Sequence, residues 1–137
     1  MPNKKEEKEY LISTLRKQYL DYGEDSHAEC YVREHFKDNL PEAFTLLKEI
    51  FTDSVNETPV LLGVLYIISH YDHDEVGEEM MPIVHAALGH LSLEVVEGGV
   101  RVLESWGTQS CVDELKKLNY NDKWLMDYVN QVIKDLE

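Results

Sequence analysis

A chain of 137 residues, 43% apolar and 29% charged, is long enough to bury one sizeable core and too mixed in composition for a disordered or fibrous class. Its 13 basic side chains stand against 27 acidic ones, and a net charge of −14 argues against direct nucleic-acid binding, which needs lysine and arginine on phosphates. The longest apolar run, Pro59 to Ile68, is too short to cross a bilayer, and Met1 to Glu9 lack the apolar stretch of a secretory leader, so the expectation is a cytoplasmic protein away from the membrane.

Helical periodicity runs through the chain, and no segment alternates as a strand would. Leu11, Leu15, Tyr19 and Tyr22 mark a first helix ending near Gly23, Ala28 to Phe36 a second, and Pro41 to Phe51 a third. Thr58-Pro59 opens a fourth, with Thr at the N-cap and Pro at the first helical position; Val60, Leu61, Val64, Leu65, Ile68 and Tyr71 form its buried stripe. A fifth runs from about Glu75 to Leu88, capped by Asp74, with Pro82 in its early turns and Gly89 at its end.

The sixth predicted helix, Leu93 to Trp106, carries a single polar stripe of Glu94, Glu97, Arg101 and Glu104, and all else on it is apolar or glycine. Such a helix packs on more than one side, as an interior helix of a layered stack does; Ser92 caps it and Gly107 stops it. Gly98-Gly99 inside it reads as room for a close helix approach, not as a phosphate cradle. Thr108 or Ser110 begins a short helix through Cys111, Val112, Leu115 and Leu118. The last, Trp124 to Leu136, has Leu125, Tyr128, Val129, Val132, Ile133 and Leu136 on one stripe and Asn121 or Asp122 as its cap.

Short connections make successive helices antiparallel. The expected architecture is all-α: one domain over residues 1–137 with seven to eight helices, less regular over 1–57 and paired over 58–137. A weak repeat supports pairing. A shift of 36 lays Val60, Gly63 and Val64 on Val96, Gly99 and Val100, and a shift of 30 lays Leu88, Ser92 and Val95 on Leu118, Asp122 and Leu125. Ala87-Leu88-Gly89-His90, the turn Leu91-Ser92, and Val95 to Leu103 leading into Ser105-Trp106-Gly107 resemble a HEAT-like repeat, over about Thr58 to Glu137. The turn positions that the family fills with Asp and Arg or Lys hold Leu91 and Glu94 here, which leaves a non-solenoid helical bundle as the alternative. The resemblance implies an α-solenoid of stacked antiparallel helix pairs and a protein-binding role.

Chemistry-bearing clusters are sparse. His70-Tyr71-Asp72-His73-Asp74-Glu75 sits between two predicted helices, and His70, His73 and a nearby Asp could make a three-ligand metal site for a hydrolase. The plainer reading is a solvated turn whose acids favour a helix start. His85 and His90, five apart, point about 140° away from each other on a helix of 3.6 residues per turn. His27 and His35 could share a face, but no carboxylate set accompanies them. Cys30 and Cys111 belong to no metal or redox motif, are expected as buried thiols, and have no neighbouring base that would make either a nucleophile. No catalytic residue, metal or cofactor is therefore expected. Tyr10, Tyr22, Tyr31 and Tyr120 are the tyrosines expected off the buried stripes.

The acids have a pattern. Glu49 to Val100 hold ten acidic and no basic side chains. Asp72, Asp74, Glu75, Glu78 and Glu79 are the expected core of a partner-binding surface, flanked by Glu94, Glu97 and Glu104. The expected function is a non-enzymatic protein-binding module whose acidic face captures a basic protein. In physical type the chain resembles immunity proteins that neutralise toxic nucleases, where an acidic partner covers a cationic cleft. A general HEAT-like adaptor and a metal-assisted hydrolase centred on His70 and His73 are the alternatives.

Overall fold

The structure, a computed structural model, describes residues 4–17 and 26–137, and among these all regular structure is helical. Eight helices follow one another: α1 (Lys4–Lys17), α2 (His27–His35), α3 (Leu40–Asp53), α4 (Thr58–Ser69), α5 (His73–Leu88), α6 (Leu93–Trp106), α7 (Gln109–Lys116) and α8 (Lys123–Leu136). The chain divides into two compact units, Met1–Ile67 and Ile68–Glu137, so the boundary falls inside α4. No helix among the described residues is long and apolar enough to cross a membrane.

In the first unit α1 packs against α2 and α3. Leu11 and Leu15 of α1, Ala28 and Val32 of α2, and Ala43, Phe44, Leu47, Ile50 and Phe51 of α3 are buried, which is what the i, i+3, i+4 spacing of these apolar residues requires. Ser26 caps α2 by accepting the Glu29 N–H at 3.1 Å. Tyr19, Tyr22 and Gly23, assigned by sequence to the first helix, lie outside the described residues. The stripe expected on α4 understates its burial: Val60, Leu61, Val64, Leu65 and Ile68 are buried, but so are Tyr66 and Ile67. Tyr71 does not belong to that stripe. The helix ends at Ser69, and Tyr71 is half-buried in the turn that follows.

In the second unit α6 packs against α5, α7 and α8. That central position explains its composition. Val95, Val96, Val100, Val102, Leu103 and Trp106 are all buried, and fully burying side chains of this size stabilises by about 1.5–3 kcal/mol each. Gly107 takes φ 64 and its N–H bonds the Leu103 carbonyl, the left-handed stop that glycine permits. The side chains at the end of α6 serve a second purpose. Trp106 Nε1 donates to the Ile68 carbonyl at 3.2 Å and Ser105 Oγ to the Ser69 carbonyl at 2.6 Å, satisfying acceptors that the end of α4 leaves open.

α5 and α6 are antiparallel. Gly99 of α6 faces Ala87 and Leu88 at the end of α5, while the Trp106 ring meets the His73 ring, at the start of α5, edge-on at 5.3 Å. α5 begins two residues earlier than its apolar pattern predicts, and its N-cap is Asp72, not Asp74; Glu75 Oε1 reaches back to the Asp72 N–H at 3.4 Å. Pro82 lies in the helix interior, past its first turns. α7 and α8 are capped by Thr108, which accepts from Cys111 N–H at 3.3 Å, and Asp122, which accepts from Leu125 N–H at 2.8 Å.

Candidate functional site

The acids of the basic-free stretch separate into two groups once the fold is known. In the first unit, α1 supplies the missing cations: Lys8 Nζ bonds Glu49 at 2.8 Å and Asp53 at 2.6 Å, and Arg16 bonds both oxygens of Glu57, at 2.5 and 3.0 Å. The bonds to Asp53 and Glu49 hold the Lys8 ammonium above its usual pKa, and the bond from Arg16 holds the Glu57 carboxyl below its own. Glu49, Asp53 and Glu57 are thus matched by residues about forty positions away in sequence.

The second unit is different. Ile68–Glu137 holds fourteen acidic and five basic residues, a net −9. Arg101 pairs with Glu97, Lys116 with Glu137, Lys117 with Glu114 and Lys123 with Asp127. Asp74, Glu78 and Glu94 are exposed, and among the described residues none of them enters an ion pair. Asp72 and Glu75, also exposed, take part in the capping of α5, and Glu79 is half-buried.

The eight residues singled out by sequence therefore do not form one face. Asp72, Asp74, Glu75, Glu78 and Glu79 share the first two turns of α5. Glu94 lies at the opposite end of the α5/α6 pair, since α5 is 16 residues long and rises about 1.5 Å per residue. Glu97 accepts from Arg101 Nε and Nη2 at 3.2 and 2.8 Å, and Glu104 accepts from the Tyr128 hydroxyl at 2.9 Å. Burial, and then the bond to Glu104, hold the Tyr128 phenol well above its usual pKa, so it remains a donor.

His70 and His73 have different surroundings. His70 is exposed in the turn after α4, whereas the His73 ring lies over Gly77 and against Trp106. Among the described residues no group of three or more His, Cys, Asp or Glu side chains is placed to hold a metal ion. His85 Nε2 lies 3.1 Å from Glu114, and His90 Nδ1 accepts from the Ser92 N–H at 2.9 Å. Of the thiols, Cys111 is buried as expected and Cys30 is exposed, because it falls on the solvent side of α2, opposite Ala28 and Val32.

Beside Cys30 runs an aromatic row, Tyr10 to Tyr31 at 4.6 Å and Tyr31 to His35 at 4.0 Å between ring centroids. Tyr120 is not free, contrary to its expected position: its hydroxyl donates to the Leu88 carbonyl at 2.7 Å. A cleft of about 330 Å³ in the first unit is lined by Phe36 and Leu46, and four of the charges around it pair with one another, Lys4 with Glu42 and Lys8 with Glu49. Sequence reasoning missed Trp124, which is 61% exposed at the start of α8. The available signal was its place off the Leu125, Val129 and Val132 stripe.

No protein-family model, curated protein or solved structure matches this chain.

Proposed function

We propose that this chain is a non-enzymatic protein-binding module that captures a basic protein, and that its docking charge is concentrated on the first turns of α5. The observation that carries this reading is the unequal neutralisation of the acids. Four of the five cations of the second unit pair with Glu97, Glu137, Glu114 and Asp127, and among the described residues Asp74 and Glu78 are exposed without an ion pair, next to Asp72, Glu75 and Glu79. A field of one sign raises the encounter rate with an oppositely charged partner and repels acidic ones. An immunity protein that covers the cationic cleft of a toxic nuclease is the form of capture that fits this charge best. Stacking of the helix pairs as a HEAT-like solenoid, and a cytoplasmic setting, belong to the same proposal. A general adaptor differs from it only in the partner.

The test compares wild type with the triple variant Asp74→Lys, Glu78→Lys, Glu79→Lys as bait in cognate lysate over a salt series. Wild type should retain a basic protein at low salt and release it as salt rises, and the variant should retain none. If both baits recover the same protein with the same salt dependence, the acids serve only solubility.

A further inference from the structure

α6 and α8 run parallel. Their C-terminal ends meet where a Cβ on Gly107 would stand 3.4 Å from Leu136 Cδ2, and farther back Arg101 stands over the Tyr128 ring, 5.7 Å from its centroid. One more turn toward the N-termini brings Glu97 to about the level of Trp124, and Leu93 and Glu94 follow on the next turn of α6. The loop that enters α8 is tied to the same end of the unit, since Tyr120 bonds the Leu88 carbonyl just before the turn that carries Leu91. Leu91 is 99% exposed, and Leu93 and Trp124 are exposed as well.

This surface already shows how it holds a cation. The Arg101 guanidinium is gripped by Glu97 through two nitrogens and lies over Tyr128, which Glu104 anchors by its hydroxyl. Trp124, with its ring 6.0 Å from that of Tyr128, continues the aromatic row into solvent toward the N-terminal turn of α6 that carries the exposed Glu94. Tryptophan is the side chain best suited to attract a cation to its face, and a planar guanidinium can stack on it while pairing with a carboxylate.

We infer that the end of the α6/α8 face formed by Leu91, Leu93, Glu94 and Trp124 docks an arginine-bearing segment of a basic protein. The partner's guanidinium stacks on Trp124 and pairs with Glu94, while apolar side chains flanking that arginine cover Leu91 and Leu93. A second copy of this chain is a poor occupant, because it brings another −14 to a face that is itself acidic. Trp and Arg are also among the side chains most enriched at interface hot spots. The inference rests on the capture of a basic protein proposed above and adds a second contact point, remote from the first turns of α5.

The probe is a synthetic amphipathic helical peptide with arginines on one face and leucines flanking them, together with a counterpart in which citrulline replaces each arginine. Binding to the intact chain is measured by titration calorimetry. The arginine peptide should bind saturably and the citrulline peptide should not. Trp124→Leu, which keeps apolar area and removes the π face, should weaken binding about five-fold or more, as should Glu94→Gln, with melting temperatures unchanged. If both variants bind like wild type while reversal of Asp74, Glu78 and Glu79 abolishes binding, the α6/α8 contact is wrong and the capture reading stands. Equal binding of the two peptides, or no binding of either, overturns the inference directly.

Discussion

A Cβ on Gly99 would stand 3.2 Å from both Ala87 Cβ and Leu88 Cδ2, closer than most real contacts, so the absence of a side chain sets the α5–α6 approach. Gly99→Leu should therefore destabilise the protein by about 1–3 kcal/mol through overpacking, read from urea denaturation. Unchanged stability would place Gly99 away from a close contact. The neighbourhood of Gly99 was legible in sequence, because a glycine pair inside an otherwise apolar helix has few other uses. Partners across helices were not. That Lys8 and Arg16 would neutralise Glu49, Asp53 and Glu57 depends on how α1 packs, which no local pattern encodes. The Arg16 bond gives a pH test. Since Glu57 is held below its ordinary 4.5, its contribution is complete above that value and is lost as pH falls through the folded pKa. Wild type and Glu57→Gln should differ by a constant amount near neutrality, and the difference should shrink on acidification below about pH 4.5. A difference that grows in acid would contradict the assignment.

Among the helices, α6 and α8 were the most legible: the boundaries of α6 coincide with those read from sequence, and α8 differs by one residue at its start. Both combine a strong apolar stripe with a capping residue, Gly107 ending one and Asp122 starting the other. α5 was less legible. Its true start is fixed by Asp72 and by the packing of His73 on Trp106, a contact between residues 33 positions apart that leaves no trace in local periodicity. Pro82 lies inside the helix, where it cannot donate to the Glu78 carbonyl. Pro82 is exposed, so replacing it disturbs no buried contact. Pro82→Ala should restore that bond and raise stability by about 1 kcal/mol or more, measured by thermal or urea unfolding. A loss of stability would mean that the ring's constraint on the unfolded chain, or on a bend in α5, outweighs the missing bond.

At the scale of the molecule, charge is the property that local helix patterns did not explain, and the candidate site was only half legible because of it. The sequence located the acids, but the fold decided which remained uncompensated: Glu97 and Glu104 serve Arg101 and Tyr128, whereas Asp74 and Glu78 serve neither a cap nor an ion pair among the described residues. Reversing the exposed Asp74 and Glu78 to Lys should change the melting temperature little, because relief of like-charge repulsion is opposed by loss of acids that favour the start of α5. The central claim is that this field steers a basic partner to the surface. The most direct measurement is the association rate of the captured protein as a function of ionic strength, by stopped-flow or surface binding. Screening shortens the reach of exposed charges from about 30 Å at 0.01 M to about 8 Å at physiological salt, so the wild-type rate should fall steeply over that range while the triple variant starts slow and stays nearly flat. Parallel salt dependences for the two proteins would contradict the account.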